Sequence, residues 1–306
     1  MGSPGPLRSA RVGGPVRDGG PPAPRAVTID LWYTLIAFSR SGPRAYERDR
    51  RSAWVEPLVD RGLPQRTAER AVRAMEEWAF RRENAGRSVS LAEQARELGR
   101  LTGIRPPSDR VGHRIAFALA SADLRWSPGL HPALASLRRR GLRLGIVSNI
   151  LYEPPEAAHD LLRRLTSDLS RFDAVVVSSD GYDAKPAPGI LRRAARELEV
   201  GTNELLHIGD SDQDMIAAHQ AGIAFLRFTG RPRSPAVGPA CPFPRVRYPS
   251  VRSWPLLAAH FDRLWAQAAA ARDRVARLRR IARASPGLSE EPPARRLLPP
   301  IATPLR

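Results

Sequence analysis

The chain has 306 residues, which is long enough for two domains or for one domain with a large insertion. Its formal net charge is +18, and its single cysteine, Cys241, excludes an internal disulfide framework and is typical of a reducing compartment. No apolar run reaches the roughly 18 residues of a membrane-spanning helix, and the Gly/Pro-rich beginning lacks a signal peptide's apolar core. We therefore expect a cytoplasmic protein with no membrane partner.

Most of the positive charge lies at the two ends of the chain. Residues 1–25 are rich in Gly, Pro and Arg and are predicted to form a disordered leader. Residues 266–306 are predicted to form a basic tail, whose first part, to Ala284, has the composition of an Ala/Arg helix. The tail contains a cluster of four arginines, Arg277, Arg279, Arg280 and Arg283. Such a cluster can bind nucleic-acid phosphates, but few aromatic residues accompany it, so we expect a solvated charged face instead.

The first predicted element is a short buried strand that begins at Ala26. Its apolar and β-branched residues are followed by Asp30 and, four residues later, by Thr34. Open α/β sheets place their ligands at the carboxyl ends of strands, which makes Asp30 a candidate site residue. An Asp that caps a loop is an equally good interpretation of this stretch alone.

Apolar residues recur at helical spacing between residues 38 and 124, with glycines and prolines between the segments. This pattern predicts a helical insertion over residues 38–124. The predicted α/β core then comprises residues 26–37 and 125–265. In its second part strands alternate with helices, which predicts a doubly wound parallel sheet.

Polar residues follow three further predicted strands, namely Ser148 with Asn149, Lys185, and Asp210 with Asp214. Lys185 is the single lysine among 49 basic residues, all the others being arginine. An overall preference for arginine explains most of these positions. Where lysine is kept, we infer a site that needs a compact ammonium in place of a planar guanidinium.

A carboxylate, hydroxyl and amide donors, one ammonium and two further acids at one sheet edge are what phosphoryl transfer through an aspartyl-phosphate requires. In this interpretation Asp30 attacks phosphorus, and Asp30 and Asp210 hold Mg²⁺. Lys185 and Ser148 bind the remaining phosphate oxygens. Each residue alone also has an ordinary structural interpretation, such as helix capping by Ser148.

The order of these motifs resembles the haloacid dehalogenase-like hydrolase superfamily over residues 26 to about 229. The matching motifs are Asp30 with Thr34, Leu144 to Asn149, Lys185-Pro186-Ala187-Pro188, and Gly209-Asp210 with Asp214. The resemblance implies a Rossmann-like core with a helical cap, and a hydrolase acting on a small phosphorylated molecule. It also implies that Thr34, Ser148, Asn149 and Lys185 position the phosphate, and that Asp30, Asp210, Asp214 and the carbonyl of Trp32 hold Mg²⁺.

Trp32 departs from the family pattern, because phosphatases of this family usually carry there an Asp that protonates the leaving group. An indole cannot donate that proton, and general acid catalysis is typically worth about 10²–10⁴-fold. The sequence leaves three hypotheses open. In the first, the chain is a phosphatase that uses a good leaving group or a substitute acid from the cap, for which Glu47, Asp49 and Glu77 are candidates. In the second, it is a 2-haloacid dehalogenase-like carbon–halogen hydrolase. In the third, it is a catalytically weak binding protein.

Overall fold

The computed structural model describes residues 22–39, 42–165, 172–230 and 246–284. Most of the predicted leader, Cys241 and the predicted tail beyond residue 284 lie outside the described residues. Within the described ranges, no helix combines the length and the apolar character that a membrane crossing requires.

The strands are β1 (Ala26–Ile29), β2 (Ile36–Phe38), β3 (Leu124–Trp126), β4 (Arg143–Ser148), β5 (Ala174–Val177), β6 (Leu205–Gly209), β7 (Ala224–Phe228) and β8 (Ser250–Val251). The helices are α1 (Gly42–Val59), α2 (Gln65–Asn84), α3 (Leu91–Thr102), α4 (Ser108–Ala120), α5 (Leu130–Arg139), α6 (Pro155–Leu165), α7 (Gly189–Glu197), α8 (Asp212–Ala221), α9 (Trp254–Ala259) and α10 (Phe261–Ala284).

A parallel sheet with the strand order β5-β4-β1-β6-β7-β8 forms the centre of the described chain. The central strand β1 pairs on one side with β4, Ala26 opposite Arg143, and on the other with β6, Ala26 opposite Leu205. Strand order reverses beside β1, and this is where open α/β sheets form a crevice at the carboxyl ends of their strands. Asp30 follows β1 directly and so lies at that crevice.

Helices cover both faces of the sheet. Because successive side chains of a strand point to opposite faces, each strand contributes to two cores. Val27 and Ile29 pack on the side of α5, α6, α9 and α10, whereas Ala26 and Val147 pack on the side of α7 and α8. The predicted doubly wound α/β fold is confirmed.

The predicted insertion corresponds to four helices, α1 to α4, which pack around their own apolar core. Its largest fully buried side chains are Trp54, Leu58, Met75, Leu98 and Ile115. The chain leaves the sheet along β2 and returns along β3, and these two strands pair antiparallel, with Phe38 opposite Leu124. The division of the chain into core and cap is retained here as a prediction, and α1 to α4 are called the helical insertion.

Helix α10 continues the packed structure well beyond residue 265, over the first part of the predicted basic tail, where an Ala/Arg helix to Ala284 was expected. Trp265, Ala268, Ala269 and Val275 of this helix are all buried. Small alanine side chains allow a helix to lie close to a sheet, and α10 packs against β7. The sequence did not show that this helix packs, because arginines recur between its apolar residues.

Candidate active site

Asp30 stands at the start of a tight turn between β1 and β2. Its backbone N–H donates to the Ile208 carbonyl at 2.8 Å, which fixes it to the end of β6. The backbone N–H groups of Leu35 and Ile36 both donate to the Leu31 carbonyl at 3.0 Å, and Tyr33 adopts a positive φ of 60°. A non-glycine residue in this region is uncommon and is often found near functional sites.

The Lys185 ammonium lies at the centre of the site and is only 2% exposed. Its Nζ contacts Asp30 Oδ1 at 2.5 Å, Asp214 Oδ1 at 2.6 Å and the Val147 carbonyl oxygen at 3.1 Å. A lysine ammonium has three donors, and here all three have an oxygen partner. The one lysine of the chain therefore joins the ends of β1 and β4 to α8.

The electrostatics of the site follow from burial and from these contacts. Burial lowers the pKa of Lys185, but the Asp214 and Asp30 carboxylates raise it more, so its net pKa lies above the ordinary value. Burial is the largest influence on Asp30 and, together with the negative charges of Asp214 and Asp210, it raises the pKa of Asp30 well above its ordinary value despite Lys185. Burial also acts to raise the pKa of Asp214, but Lys185 and His207 lower it by more. The net pKa of Asp214 therefore lies below its ordinary value.

Asn149 holds the Lys185 loop in place. The Asn149 side chain donates from Nδ2 to the Lys185 carbonyl and accepts at Oδ1 from the Lys185 N–H, both at 2.8 Å. This pair of hydrogen bonds fixes the backbone of Lys185 against the end of β4. Asn149 also lines the cavity described below.

Three buried carboxylates, those of Asp30, Asp210 and Asp214, offer oxygens that all lie within 4.8 Å of one another. An all-oxygen set of this kind suits a hard divalent cation such as Mg²⁺. Asp214 already accepts hydrogen bonds at Oδ2 from the backbone N–H and the hydroxyl of Ser211, at 3.1 and 2.5 Å. Its Oδ1 contacts Lys185 and His207, so Asp214 is the most fully occupied of the three.

A cavity of about 430 Å³ lies between this sheet edge and the helical insertion. Its wall on the side of the sheet includes Asp30, Trp32, Asn149, Lys185 and Asp210, and its wall on the side of the insertion includes Tyr46, Arg50, Glu76, Phe80 and Glu83. Thr34 and Ser148 are 0% exposed and are absent from this wall. The Thr34 hydroxyl has no hydrogen-bond partner among the described residues, and the Ser148 hydroxyl contacts the Asn149 carbonyl at 3.2 Å.

Trp32 forms part of the cavity wall as an apolar side chain. Its ring stacks on Phe38, with centroids 5.5 Å apart, and Phe38 stacks on Tyr46 of α1 at 5.4 Å. The Tyr46 hydroxyl in turn donates a hydrogen bond to the Glu153 carboxylate. Trp32, at the position where the resemblance predicted an acid, is therefore the first ring of an aromatic row that reaches the insertion.

His207 is a buried polar residue of the site that the sequence prediction missed. Its Nε2 lies 3.0 Å from Asp214 Oδ1, and its Nδ1 lies 3.0 Å from the Thr28 hydroxyl. A histidine inside an apolar strand next to the predicted Asp210 motif was a signal that could have identified it. Arg50, Glu76 and Glu83 of the insertion gave no comparable signal, because their approach to the sheet depends on how the insertion packs.

Residues 24–222 match the family model described as haloacid dehalogenase-like hydrolase. The chain belongs to this family. It is also 40% identical over 97 residues to a phosphoglycolate phosphatase of Cupriavidus necator, a match that covers 31% of this chain and 40% of that relative. The chain thus matches less than half of the length of this curated relative.

Solved structures of haloacid dehalogenase-like proteins share the fold. A 2-haloacid dehalogenase from Pseudomonas syringae has a TM-score of 0.53 at 18% identity, over 78% of this chain and 99% of that chain. A phosphatase of the same family from Thermococcus onnurineus has a TM-score of 0.50 at 21% identity, over 78% of this chain and 97% of that chain. At these identities the likeness concerns the fold alone.

Proposed function

We propose that this haloacid dehalogenase-like hydrolase is a phosphatase that hydrolyses a small phosphorylated metabolite through an aspartyl-phosphate on Asp30. The observation that carries the proposal is the Lys185 ammonium bound between Asp30 and Asp214 at the wall of the cavity. A buried lysine beside a carboxylate nucleophile binds phosphate oxygens and holds that nucleophile in its attacking orientation. The cavity volume of about 430 Å³ suits a small molecule.

In the proposed reaction an Asp30 oxygen forms a bond to phosphorus while the bond between phosphorus and the leaving oxygen breaks. Water then cleaves the aspartyl-phosphate and releases phosphate. Lys185 and Asn149 lie on the cavity wall and are assigned to the phosphate oxygens. The Lys185 ammonium exchanges its longest hydrogen bond, the one to the Val147 carbonyl, for one to a phosphate oxygen, and Asn149 donates the second proton of its Nδ2. The roles predicted for Thr34 and Ser148 remain predictions, since neither side chain is on that wall.

Asp30 and Asp210, with the Trp32 carbonyl, are the residues proposed to hold Mg²⁺, whose charge would neutralise the phosphate when it is bound. We assign Asp214 chiefly to positioning Lys185, because four donors already occupy its two oxygens. The sequence predicted Asp214 as a Mg²⁺ ligand. In this proposal Asp214 does not bind the cation directly but places a negative charge close to it.

The test is hydrolysis of acetyl phosphate, p-nitrophenyl phosphate, an alkyl phosphate and a 2-haloacid, with and without Mg²⁺, by the parent chain and by Asp30→Asn. We expect phosphate release that requires Mg²⁺ and is lost in Asp30→Asn. The matched control is Asp262→Asn, which makes the same change at an acid of α10 whose side chain is 80% exposed and pairs with Arg140 at 2.9 Å. Its activity should stay within about threefold of the parent, because the change lies on the surface.

Two outcomes contradict the proposal. Halide release without metal would identify a dehalogenase, and phosphate release that persists in Asp30→Asn would exclude Asp30 as the nucleophile.

A further inference from the structure

We propose that Glu83 of the helical insertion is the general acid that protonates the leaving group, a role that Trp32 cannot fill. The inference rests on the proposed phosphatase function and names the residue that completes it.

The position of Glu83 is fixed against the sheet edge. It lies in the last turn of α2, is 7% exposed and lines the cavity together with Asp30 and Lys185. The following residue, Asn84, accepts a hydrogen bond at Oδ1 from Gln213 Nε2 at 2.5 Å, and the carbonyl of Gly86 accepts one from the Ala184 N–H at 3.1 Å. Both partners are direct neighbours of site residues, Asp214 and Lys185.

The direction of attack also favours Glu83. In an in-line displacement the leaving oxygen lies on the side of phosphorus opposite to the attacking oxygen. Asp30 attacks from the sheet edge, so the leaving oxygen points to the opposite wall, which the insertion provides. Glu76, Phe80 and Glu83 recur on one face of α2 and form that wall.

The other acids of this region either have a protein partner or are exposed to solvent. Glu76 pairs with Arg50 and Arg51 at 2.8 and 2.9 Å, and Glu153 accepts from the Tyr46 hydroxyl. The carboxyl groups of Asp49 and Glu77, two acids suggested by the sequence, are 51% and 72% exposed. Glu47 lines the cavity but is an exposed residue.

The Glu83 carboxyl, by contrast, makes no hydrogen bond or ion pair with any residue in the described part of the chain. A buried carboxyl that faces a cavity without a protein partner is available to a ligand.

The protonation state agrees with the role. Burial is the main cause that raises the pKa of Glu83 to about 8, the negative charge of Glu153 adds to it, and the Lys185 ammonium opposes it. Glu76, Arg50 and Tyr152 also face this part of the cavity. At neutral pH Glu83 therefore carries a proton, which it gives to the leaving oxygen as the bond to phosphorus breaks. The resulting carboxylate then takes a proton from the water that attacks the aspartyl-phosphate.

The experiment compares Glu83→Gln with the parent chain on an alkyl phosphate and on p-nitrophenyl phosphate. Gln keeps the shape of the side chain but cannot donate an acidic proton. We expect kcat for the alkyl phosphate to fall by about 10²–10⁴-fold, and kcat for the aryl phosphate, whose leaving group needs little protonation, to change by less than about tenfold. The parent's kcat/KM for the alkyl phosphate should also decline above about pH 8, and this decline should be absent in the variant.

Glu77→Gln is the matched control, since it makes the same change on the exposed face of the same helix. Equal losses of kcat on both substrates in Glu83→Gln would show a structural role and overturn the inference. An unchanged kcat for the alkyl phosphate in this variant would also overturn it. So would a parent chain that hydrolyses only the aryl ester. In each of these cases aryl phosphate hydrolysis that depends on Asp30 would leave the proposed function intact.

Discussion

Lys185 shows how a single side chain can tie several elements together. Its ammonium meets oxygens from three directions, those of Asp30, Asp214 and the Val147 carbonyl. A planar guanidinium presents its donors in one plane and needs more space, so arginine does not reproduce this arrangement. This gives a structural reason for one lysine among 49 basic residues.

Replacement of Lys185 by Met should destabilise the chain. The substitution removes the cation and leaves the Asp30 and Asp214 carboxylates buried together. Breaking a buried ion pair in this way typically lowers the free energy of unfolding by about 3–5 kcal/mol. We expect this loss in urea unfolding without divalent cations, and we expect Lys185→Arg to be no better than Met for activity. Arg193→Met is the control, since Arg193 pairs with Glu197 on the surface of α7. A loss of less than about 1 kcal/mol in Lys185→Met would mean that the ion pairs contribute little.

The acids and the lysine at the strand ends were predictable because one rule locates them. Each follows an apolar run, and parallel strands bring their carboxyl ends to the same edge. Asp30, Lys185, Asp210 and Asp214 accordingly lie together in the structure. Glu83 was not predictable in this way, because its distance from Asp30 along the chain carries no information about how α2 docks.

The loop between α2 and α3 brings the insertion against the core. Gly86 in this loop has a φ of +86°, and a Cβ there would lie 2.7 Å from the Ala187 Cβ. Ser88 donates a hydrogen bond to the Ser178 carbonyl at 2.9 Å, and Gln94 donates to the Leu151 carbonyl at 2.7 Å. Backbone contact and side-chain hydrogen bonds together hold the insertion against the core on this side.

Gly86→Ala should therefore impair activity as well as stability. The added methyl group forces the loop away from Ala187, and a displacement of about 1 Å near a reacting group can cost about 10²-fold in rate. The control is Gly62→Ala, which has a similar φ of +92° but no atom within 4 Å of the added Cβ. Both variants incur about 1–2 kcal/mol of backbone strain. If kcat/KM falls equally in both, contact between the insertion and the core does not control catalysis.

The packing of α10 against the sheet was not predictable from its composition. The cluster of arginines between residues 277 and 283 suggested a solvated charged face, yet Arg272 and Arg279 donate to the Asn203 and His219 carbonyls at 2.8 and 2.9 Å. Arginine covers apolar surface with its stem while its head reaches a partner. A composition rich in arginine therefore did not distinguish a packed helix from a free one.

The packing of α10 onto the rest of the chain contributes to the burial of a histidine. His219 of α8 is 5% exposed, and its ring centroid lies 4.8 Å from that of Tyr248. Among the described residues, neither nitrogen of the His219 ring has a hydrogen-bond partner. Burial, with a smaller contribution from the charge of Arg279, lowers the pKa of His219 to about 4. The folded chain thus carries this imidazole in its neutral form.

The free energy of unfolding should consequently fall as the pH drops from about 6.5 towards 4. In this window the unfolded chain binds a proton at His219 and the folded chain does not, so acid favours unfolding by up to about 3 kcal/mol. Urea unfolding of the parent and of His219→Gln at pH 7 and pH 4.5 measures the effect. The parent should lose more stability than the variant, whereas the surface change His113→Gln should leave the parent's pH dependence in place. Identical pH dependence in parent and His219→Gln would contradict the assignment.

The two-stranded connection formed by β2 and β3 has a consequence for how the chain reaches its fold. Phe38 and Leu124 lie opposite each other although the whole insertion separates them in sequence, and the Ser39 N–H donates to the Asp123 carbonyl at 2.9 Å. Joining two points across so long a loop has an entropic cost that a preassembled loop largely avoids. If α1 to α4 assemble first, their ends already lie side by side, and β1 can then pair with β4 as though only a short turn separated the two parts of the sheet.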